Sequence, residues 1–381
     1  MSRQLLLTVA ALLVSASSAV HAEAPIKIGF TGTFTGPNAS NGIPYRNAAE
    51  LFPQTLGGKP AQWIVLDDGG DATQAMKNAR RFVDVDKVDV IVGSTSSPTS
   101  MTLFDIANSS ETVQLAMAPV AIPADKSAYV FNIVQPVGLM MSAIVDDMKK
   151  NGVKTAAYIG YADGWGDLNW NVFKDMAPKA GIEIVAEERY NRTDPSVTAQ
   201  VLKTVSVDPD VVFIGASTTP AVLPHATLRD QGFEGVIYQT HGTVAQAFLD
   251  AGGKAVEGAR LPTGPMVVAE DLSDDNPVKQ VSQDFIKKYQ AKWGPGPVPA
   301  FAGSAWDAML ILDAAMSRTG DAKPGTAEFR KAVRDAIQDG HDVVGTNGVY
   351  HYTAQDHYGV DERSRVMITV KDGRFTLLEK K

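Results

Sequence analysis

Short runs of apolar, often β-branched residues alternate along the chain with longer stretches whose apolar positions repeat with a helical period. The short runs are continuously apolar, which is typical of strands in a parallel sheet that is covered on both faces. Eight strands are predicted in this way: Ile26–Phe30, Trp63–Asp67, Val88–Val92, Val113–Met117, Ala156–Gly160, Ile182–Glu187, Val211–Ile214 and Val236–Gln239. The pattern therefore indicates a core built around sheets.

The stretches between these runs predict helices. Over residues 72–85, Ala75, Ala79 and Phe82 fall on one face, and Asp71 precedes them as a suitable N-cap. Further helices are predicted at residues 138–150, 168–180, 197–205, 221–231, 279–293 and 304–318. Repeated strand–helix–strand units predict a doubly wound α/β fold with right-handed crossovers.

The number of units bears on the domain organisation. Eight or more units exceed what one open sheet usually holds, so two sheets and two lobes are expected, with a single eightfold barrel as the alternative. Residues 279–318 are almost entirely helical in pattern, whereas residues 348–378 read as short strands separated by polar turns. A chain that returns between two lobes explains this tail better than a closed ring does.

The N-terminus has the layout of a secretory signal peptide. Arg3 precedes an apolar run over residues 5–14, and small residues lead to Ala22. The run is shorter than the ~20 residues that a membrane span needs. We expect cleavage after Ala22, giving a mature chain that begins near Glu23 and works outside the cytoplasm, with no cysteine for lipid attachment. The alternative is a buried N-terminal helix.

Composition excludes several classes of protein. The chain has 381 residues, 44% of them hydrophobic, which is ordinary for a globular protein. The formal net charge of −8, without a basic stripe, argues against a nucleic-acid partner. The chain has no cysteine, so disulfides, thiolate metal sites and cysteine nucleophiles are excluded.

Motifs of common enzymes are missing. Neither G-x-S-x-G, H-E-x-x-H, a Walker A pattern nor G-x-G-x-x-G occurs. The run from Gly252 to Lys254 lacks the hydroxyl residue of a phosphate loop, and His351 and His357 are too loosely placed to indicate a metal. No cofactor or metal is therefore expected, and a binding protein is favoured over an enzyme. A secreted α/β hydrolase remains as the alternative from another class.

Small polar residues follow several predicted strands directly. They form the segments Gly93–Ser97, Gly215–Thr219 and Thr240–Thr243. In open α/β sheets ligands bind outside the carboxyl ends of the strands, and a helix that starts near Pro98 would present free N–H groups to an anion. Serine and threonine are also common N-caps, but three such loops at sheet edges favour a ligand site.

Five segments, in order and spacing, resemble solute-binding proteins of bacterial ABC importers, in the branch that includes the leucine/isoleucine/valine-binding proteins. They are Ile26–Pro37, Val90–Ser97, Gln114–Pro119, Tyr161–Gly166 and Asp210–Gly215. The resemblance covers residues 25–381. It implies two parallel-sheet α/β lobes joined by three crossovers, the type I periplasmic binding protein fold, which closes on its ligand like a hinge. One lobe would contain residues 25–134 and 262–348, the other 135–261 and 349–381.

The resemblance also implies how a ligand carboxylate is held. The serine-rich loop would contribute Ser97, with Ser96 lining the same loop, and the backbone N–H of Ala121 would follow Pro119. Ile122 stands where the family usually has a hydroxyl residue. From the second loop, Ser217 and Thr218 are expected to line the site.

Other positions depart from the amino-acid binders of the family. His241 stands where those proteins carry an acidic residue for the ligand's ammonium group, and Asn41 stands where an aromatic residue is expected. A buried ammonium without a carboxylate partner costs several kcal/mol. These differences favour a ligand with a carboxylate and no amino group, although Asp163 or Asp167 could replace the missing acid.

Aromatic residues near the expected site indicate the kind of ligand. Phe34 lies in the first loop and Trp165 aligns with a tyrosine of the family, so both are expected to stack on a flat ring. We therefore expect a periplasmic protein, a monomer, that captures an aromatic acid such as a benzoate or a phenylpropenoid acid and delivers it to ABC permease subunits. A branched-chain amino acid or amide is the alternative ligand, and a sensory receptor the alternative partner.

Overall fold

A computed structural model describes residues 24–36 and 39–378, so the expected leader over residues 1–22 lies outside the described residues. The strands are β1 (Ile26–Gly32), β2 (Thr55–Leu56), β3 (Lys59–Asp67), β4 (Val90–Val92), β5 (Val113–Ala116), β6 (Val130–Asn132), β7 (Thr155–Tyr161), β8 (Glu183–Tyr190), β9 (Val211–Gly215), β10 (Val236–Gln239), β11 (Arg260–Thr263), β12 (Val343–Val344), β13 (Val349–Tyr350), β14 (Val366–Lys371) and β15 (Arg374–Leu377). All eight predicted strands are present, seven of them with shifted ends.

The helices follow most of the strands. They are α1 (Ala39–Ala49), α2 (Ala72–Arg81), α3 (Ser97–Met101), α4 (Phe104–Ser109), α5 (Val137–Lys150), α6 (Gly164–Lys179), α7 (Thr198–Ser206), α8 (Val222–Asp230), α9 (Gln246–Gly252), α10 (Pro277–Trp293), α11 (Ala300–Met316) and α12 (Ala327–Ile337). Asp71 caps α2 as predicted, its side chain accepting from the N–H of Gln74. Among the described helices, none combines the length and apolar character that crossing a membrane requires.

Two separate sheets confirm the predicted doubly wound architecture and exclude the barrel. The first has the order β2-β3-β1-β4-β5-β6, and the second has the order β15-β14-β11-β10-β9-β7-β8. Strands β1, β3, β4, β5 and β6 run parallel, as do β7 to β11, and the antiparallel pairs are added only at one edge of each sheet. Both sheets therefore present carboxyl ends of parallel strands, where ligands of this architecture bind.

Each sheet has its own hydrophobic core. The core of the first sheet includes Ile28, Phe131 and Leu312, so α11 returns to the lobe that begins the chain. The cores on the two faces of the second sheet include Ile214 and Phe213. The chain thus passes between the lobes after β6, after β11 and before β14.

The last of these connections lies further along the chain than the sequence indicated. Tyr350 and Tyr352 are buried in the core of the first lobe, and the ring of His357 stacks on Phe131 with 4.2 Å between centroids. The resemblance assigns residues 349–360 to the second lobe, together with the rest of residues 349–381. Their buried aromatic side chains pack with the first lobe instead, and we propose residues 361–365 as the third connection.

The three connections meet at one buried point, which we call the pivot and define as Gln135, Gly264, Asn347 and Ser364. The Nε2 of Gln135 donates to the backbone oxygens of Asn347 (3.3 Å) and Ser364 (3.2 Å). The side chain of Asn347 is held by Asp307 of α11, whose Oδ2 accepts from its backbone N–H at 3.0 Å and from its Nδ2 at 3.2 Å. The pivot is therefore anchored to the first lobe and linked to all three connections.

Substitution of Gly264 should disturb the pivot. A Cβ at this position would lie 2.2 Å from Oδ1 of Asn347 and 2.7 Å from Nε2 of Gln135. We expect Gly264→Ala to lower the thermal midpoint by about 3–8 °C, because a tightly packed buried contact must shift. Gly138→Ala is the matched control, since a Cβ there meets no atom within 4 Å. Equal midpoints for the two variants would show that the pivot is not tightly packed.

Candidate ligand-binding cleft

A cleft with a volume of about 210 Å³ lies between the loops at the carboxyl ends of the two sheets. Its walls come from both lobes. The first lobe contributes Thr33, Asn41, Tyr45, Gly70, Thr95, Ser96, Ser97, Pro98, Met117, Ala118, Pro119 and Phe301; Val134 lies at the first connection; and the second lobe contributes Asp163, Gly164, Trp165, Arg192, Ser217, His241 and Gly242. Six of the nine predicted ligand residues line it: Asn41, Ser96, Ser97, Trp165, Ser217 and His241.

A buried carboxylate supports the first-lobe wall. Asp68 follows β3 and is 1% exposed. Its Oδ1 accepts from the hydroxyl of Thr33 at 3.0 Å and from the N–H of Gly70 at 2.9 Å, and its Oδ2 accepts from the hydroxyl of Ser94 at 2.6 Å. These bonds join the loops that follow β1, β3 and β4, so this wall is fixed before a ligand arrives.

The hydroxyl groups of the serine loop are already engaged. The Oγ of Ser97 donates to the backbone oxygen of Pro119 at 2.6 Å, and the Oγ of Ser96 lies 2.6 Å from the hydroxyl of Thr99. Ala121 is exposed and does not line the cleft. The N–H of Ile122 donates to the Tyr358 hydroxyl at 3.2 Å.

Helix α1 supplies two further lining residues. The hydroxyl of Tyr45 donates to the backbone oxygen of Met117 at 2.9 Å, and its ring stacks on Phe301 with 5.5 Å between centroids. The Oδ1 of Asn41 is buried without a hydrogen-bond partner. Sequence reasoning missed Tyr45 because α1 contains Pro44, which weakened the helical signal.

Phe34 was predicted to contact the ligand, and the structure places it elsewhere. It is 5% exposed, belongs to the core of the first lobe and packs edge-on against Phe30 with 5.5 Å between centroids. It does not line the cleft. Its ring fills the space above Gly32, where a Cβ would approach it to 2.7 Å. Burial of this apolar ring in the core is more favourable than its exposure in the loop after β1.

Trp165 and His241 form the aromatic wall of the second lobe. Their rings meet edge to face, with 5.5 Å between centroids and 68° between planes. The Nε1 of Trp165 and the Nε2 of His241 are both buried without a hydrogen-bond partner. A buried polar atom without a partner is costly, so both nitrogens are positioned to bond a ligand. Gly242 permits this packing, since a Cβ there would lie 3.2 Å from Cζ2 of Trp165.

The Gly215–Thr219 loop is tied to the same wall. Its Ser217 is 7% exposed, and its backbone oxygen accepts from the Tyr161 hydroxyl at 2.6 Å. Thr218 does not line the cleft. Its backbone N–H instead donates to the backbone oxygen of Gly242 at 2.9 Å, so Thr218 joins the two loops of the second lobe.

Arg192 and Asp163 form an ion pair at the cleft. The Nε of Arg192 lies 2.6 Å from Oδ2 of Asp163, and its Nη1 donates to the Ser217 hydroxyl at 3.2 Å. The guanidinium also lies 4.0 Å from the ring centroid of Tyr161. Asp163 is the N-cap of α6, and its Oδ1 accepts from the backbone N–H groups of Trp165 and Gly166. Of the described residues that line the cleft, Arg192 is the one permanently charged cation and Asp163 the one acid.

Sequence reasoning missed Arg192 because the predicted strand ended too early. The apolar run stops at Glu187, but β8 continues to Tyr190 as an edge strand and includes the half-buried charged residues Glu188 and Arg189. Arg192 therefore follows the carboxyl end of a strand, the position where ligand residues are expected. A predicted strand that extended through residues 187–190 would have placed Arg192 just after its carboxyl end.

The other acid considered for an ammonium group lies outside the cleft. Asp167 is paired with Arg189 at 3.3 Å, its side chain is 65% exposed, and it does not line the cleft. The Oγ of Ser97 donates to the Pro119 oxygen, and the Oγ of Ser217 accepts from Arg192. No group of three or more potential metal ligands is found in the part of the chain that the structure describes.

Burial controls the charge of His241. Loss of hydration lowers the pKa of His241 to about 4, so the ring is neutral at physiological pH. A neutral imidazole accepts through one nitrogen and donates through the other, and Nε2 faces a ligand in one of these roles. The same cause lowers the pKa of the buried His225 to about 3.

Because His241 is buried in its neutral form, we expect the stability of the folded protein to depend on pH. The unfolded chain protonates His241 near pH 6.5, whereas the folded chain does so only near pH 4, so stability is lost as the pH falls through this window. We expect wild type to lose about 2 kcal/mol more than His241→Gln between pH 7 and pH 4.5, measured by urea unfolding. Asp307, whose pKa burial raises to about 6, acts in the opposite direction but cancels in the comparison. Identical pH dependence for both proteins would contradict a neutral, buried His241.

Comparison with known proteins identifies the family. The model of a family described as periplasmic binding protein matches residues 25–373. The chain belongs to the periplasmic binding protein family. This periplasmic binding protein is 26% identical to Leu/Ile/Val-binding protein homolog 3 of Brucella melitensis, over 93% of this chain and 94% of the relative. It is 41% identical, with a TM-score of 0.90, to an extracellular ligand-binding receptor from Rhodopseudomonas palustris HaA2, over 93% of this chain and 100% of that one.

Two more distant structures share the fold and contain ligands. One is the solute-binding protein of an ABC transporter from R. palustris in complex with benzoate, 20% identical with a TM-score of 0.77, over 93% of this chain and 96% of that one. The other is the substrate-binding protein LivJ of Streptococcus pneumoniae in complex with isoleucine, 20% identical with a TM-score of 0.78, over 92% and 98%. The type I periplasmic binding protein fold expected from the sequence is thus confirmed.

Proposed function

We propose that this periplasmic binding protein captures a small aromatic carboxylate without an amino group and delivers it to an ABC importer. One observation carries the proposal: the single acid among the described cleft residues, Asp163, is already engaged. Its two oxygens accept from Arg192 and from two backbone N–H groups. A ligand ammonium would find no free carboxylate, while a ligand anion finds a cation and unpaired hydrogen-bonding groups.

The lining of the cleft suits a flat ring. Trp165 and His241 on one side and Tyr45 and Phe301 on the other offer aromatic surface, and aromatic pairs gain about 0.5–1.5 kcal/mol beyond burial. The small volume fits a single ring with a short substituent. The benzoate complex of a distant relative supports this class of ligand.

Binding would proceed by closure of the two lobes about the pivot. A ligand that touches both walls interacts fully only in the closed form, so it shifts the population toward that form. The closed arrangement would then be the one that the permease subunits in the inner membrane recognise. We expect the mature chain to act as a monomer in the periplasm, after removal of residues 1–22.

A branched-chain amino acid or an amide is the second candidate. The relatives named Leu/Ile/Val-binding protein and the isoleucine complex favour it, as does the unpaired Oδ1 of Asn41, which can accept from a ligand N–H. It requires Asp163 to leave Arg192 and bind the ammonium. Breaking a partly buried ion pair of 2.6 Å opposes this exchange.

Calorimetric titration tests the proposal. The mature chain, unfolded and refolded to remove any bound compound, is titrated with benzoate, cinnamate, benzamide and leucine. We expect saturable binding of the two acids and at least about 30-fold weaker binding of leucine, corresponding to about 2 kcal/mol for an unpaired ammonium. Tight binding of leucine with none of the acids would replace the proposal by the second candidate.

A further inference from the structure

The hydrogen-bonding capacity of the side chains differs between the two cleft walls. On the first lobe, the Ser97 and Ser96 hydroxyls are engaged within the protein, and among the described residues that line this wall the only buried side-chain atom without a hydrogen-bond partner is the Oδ1 acceptor of Asn41. The resemblance to amino-acid binders placed the ligand carboxylate on this wall, with the backbone N–H of Ala121 as a further donor. Ala121 is exposed outside the cleft.

The second wall carries the unused side-chain donors and the cation. The Nε1 of Trp165 is a donor only, and it is buried without a partner. The Nε2 of His241, on a residue that is 8% exposed, is likewise unpaired. Arg192 adds the cationic side chain, since its bonds to Asp163 and Ser217 use Nε and Nη1 of a guanidinium with five N–H donors.

We propose that the carboxylate of the ligand binds to the second lobe, to Arg192 and Nε1 of Trp165, in the reverse of the orientation that the amino-acid binders imply. This inference rests on the proposed function, because it assigns a place to the carboxylate of that ligand. The opposite end of the ligand then faces Asn41 on the first lobe. The first contact of the free ligand is accordingly with the second lobe, and closure adds the first-lobe wall.

The surroundings of Arg192 hold it ready for this role. Asp163 fixes Nε, and the ring of Tyr161 supports the guanidinium plane at 4.0 Å. A planar fork held in place loses less freedom when it binds a carboxylate. Because Asp163 also partly neutralises the charge, the pair attracts an anion without holding it irreversibly, which suits a protein that must release its ligand.

The experiment compares two substitutions and two ligands by calorimetry. Arg192→Gln removes the proposed anchor, and Arg189→Gln is the matched control, since it makes the same charge change three residues earlier on a side chain outside the cleft. Benzamide serves as the neutral counterpart of benzoate. We expect Arg192→Gln to weaken benzoate by about 10- to 100-fold and benzamide by less than about threefold, as for loss of a charge-assisted bond. Arg189→Gln should change neither affinity by more than about threefold.

A third variant tests the effect of the negative charge of Asp163 on binding at Arg192. Asp163→Asn keeps Oδ1 as the cap of α6 but removes the negative charge beside Arg192, so we expect benzoate to bind about 3- to 10-fold more tightly. If Arg192→Gln lowers the thermal midpoint strongly, Arg192→Lys, which keeps the charge but not the fork, replaces it and should still weaken benzoate selectively.

The outcomes distinguish a failure of the proposed orientation from a failure of the proposed function. Equal effects of the Arg192 and Arg189 substitutions on benzoate, with wild type binding normally, would overturn the reversed orientation and leave the proposed function standing. Equal losses for benzoate and benzamide in Arg192→Gln would also overturn it, because the loss would then not concern the carboxylate. If wild type binds neither acid, the proposed function fails and the orientation fails with it.

Discussion

His241→Glu is expected to weaken binding of an aromatic carboxylate by at least about 100-fold. The side chain at this position is buried at the cleft, and a carboxylate there would face the ligand's own negative charge. Two like charges about 4 Å apart repel by about 4 kcal/mol at an effective dielectric constant of about 20, which corresponds to more than 100-fold in affinity. Calorimetric titration of benzoate measures the loss.

His241→Gln is the control for this prediction. Glutamine keeps a neutral side chain that can donate and accept, so the loss for benzoate should stay below about tenfold. Leucine should bind more tightly to His241→Glu than to wild type, because the new acid provides a partner for its ammonium. Unchanged benzoate affinity in His241→Glu would show that position 241 does not face the ligand's anionic group.

Asp307→Ala is expected to reduce the free energy of unfolding by about 3–5 kcal/mol, because it strands several buried donors at once. The carboxylate accepts from the backbone N–H groups of Thr346 and Asn347, from Nδ2 of Asn347 and from the Tyr350 hydroxyl at 2.9 Å. The oxygen of that hydroxyl also lies 3.2 Å from the backbone oxygen of Ile133 in the first connection. Loss of Asp307 therefore loosens the pivot together with the core beneath it.

Denaturant unfolding measures this effect, and Asp307→Asn is its control. Asparagine retains one oxygen for the backbone donors, and burial already raises the pKa of Asp307 to about 6, so its charge contributes little net stability. We expect Asp307→Asn to cost less than half as much as Asp307→Ala. A loss below about 1 kcal/mol for Asp307→Ala would mean that water replaces the carboxylate without cost.

Much of the fold was predictable because continuous apolar runs indicate buried parallel strands. The strands around Phe30, Ile91, Ile159 and Ile214 are continuously buried, and each was found. Strand ends were less predictable where the sheet has an edge. At the edge strand β8 the charged residues Glu188 and Arg189 are half-buried and do not interrupt the strand, so its end, and with it Arg192, was not predicted.

The residues of the candidate site were predictable in the small polar loops that follow strands. They were not predictable where tertiary packing determines whether a side chain reaches the cleft. Ser97, Ser217 and His241 follow strands and line the cleft, as expected from their position. Phe34 also follows a strand, but its ring is buried in the core of the first lobe. Tyr45 reaches the cleft from a helix, so no rule about strand ends indicates it. The use of the serine hydroxyls within the protein depends on tertiary contacts that a sequence does not display.

A crystal structure of the mature chain with bound benzoate or cinnamate tests most directly whether the two lobes clamp a small carboxylate between them. We predict that the ring lies between the Trp165–His241 wall and Tyr45, with both lobes in contact with the ligand and the carboxylate at Arg192. Ligand seated outside this cleft, or an amino acid from the host occupying it with its ammonium on Asp163, would contradict the account.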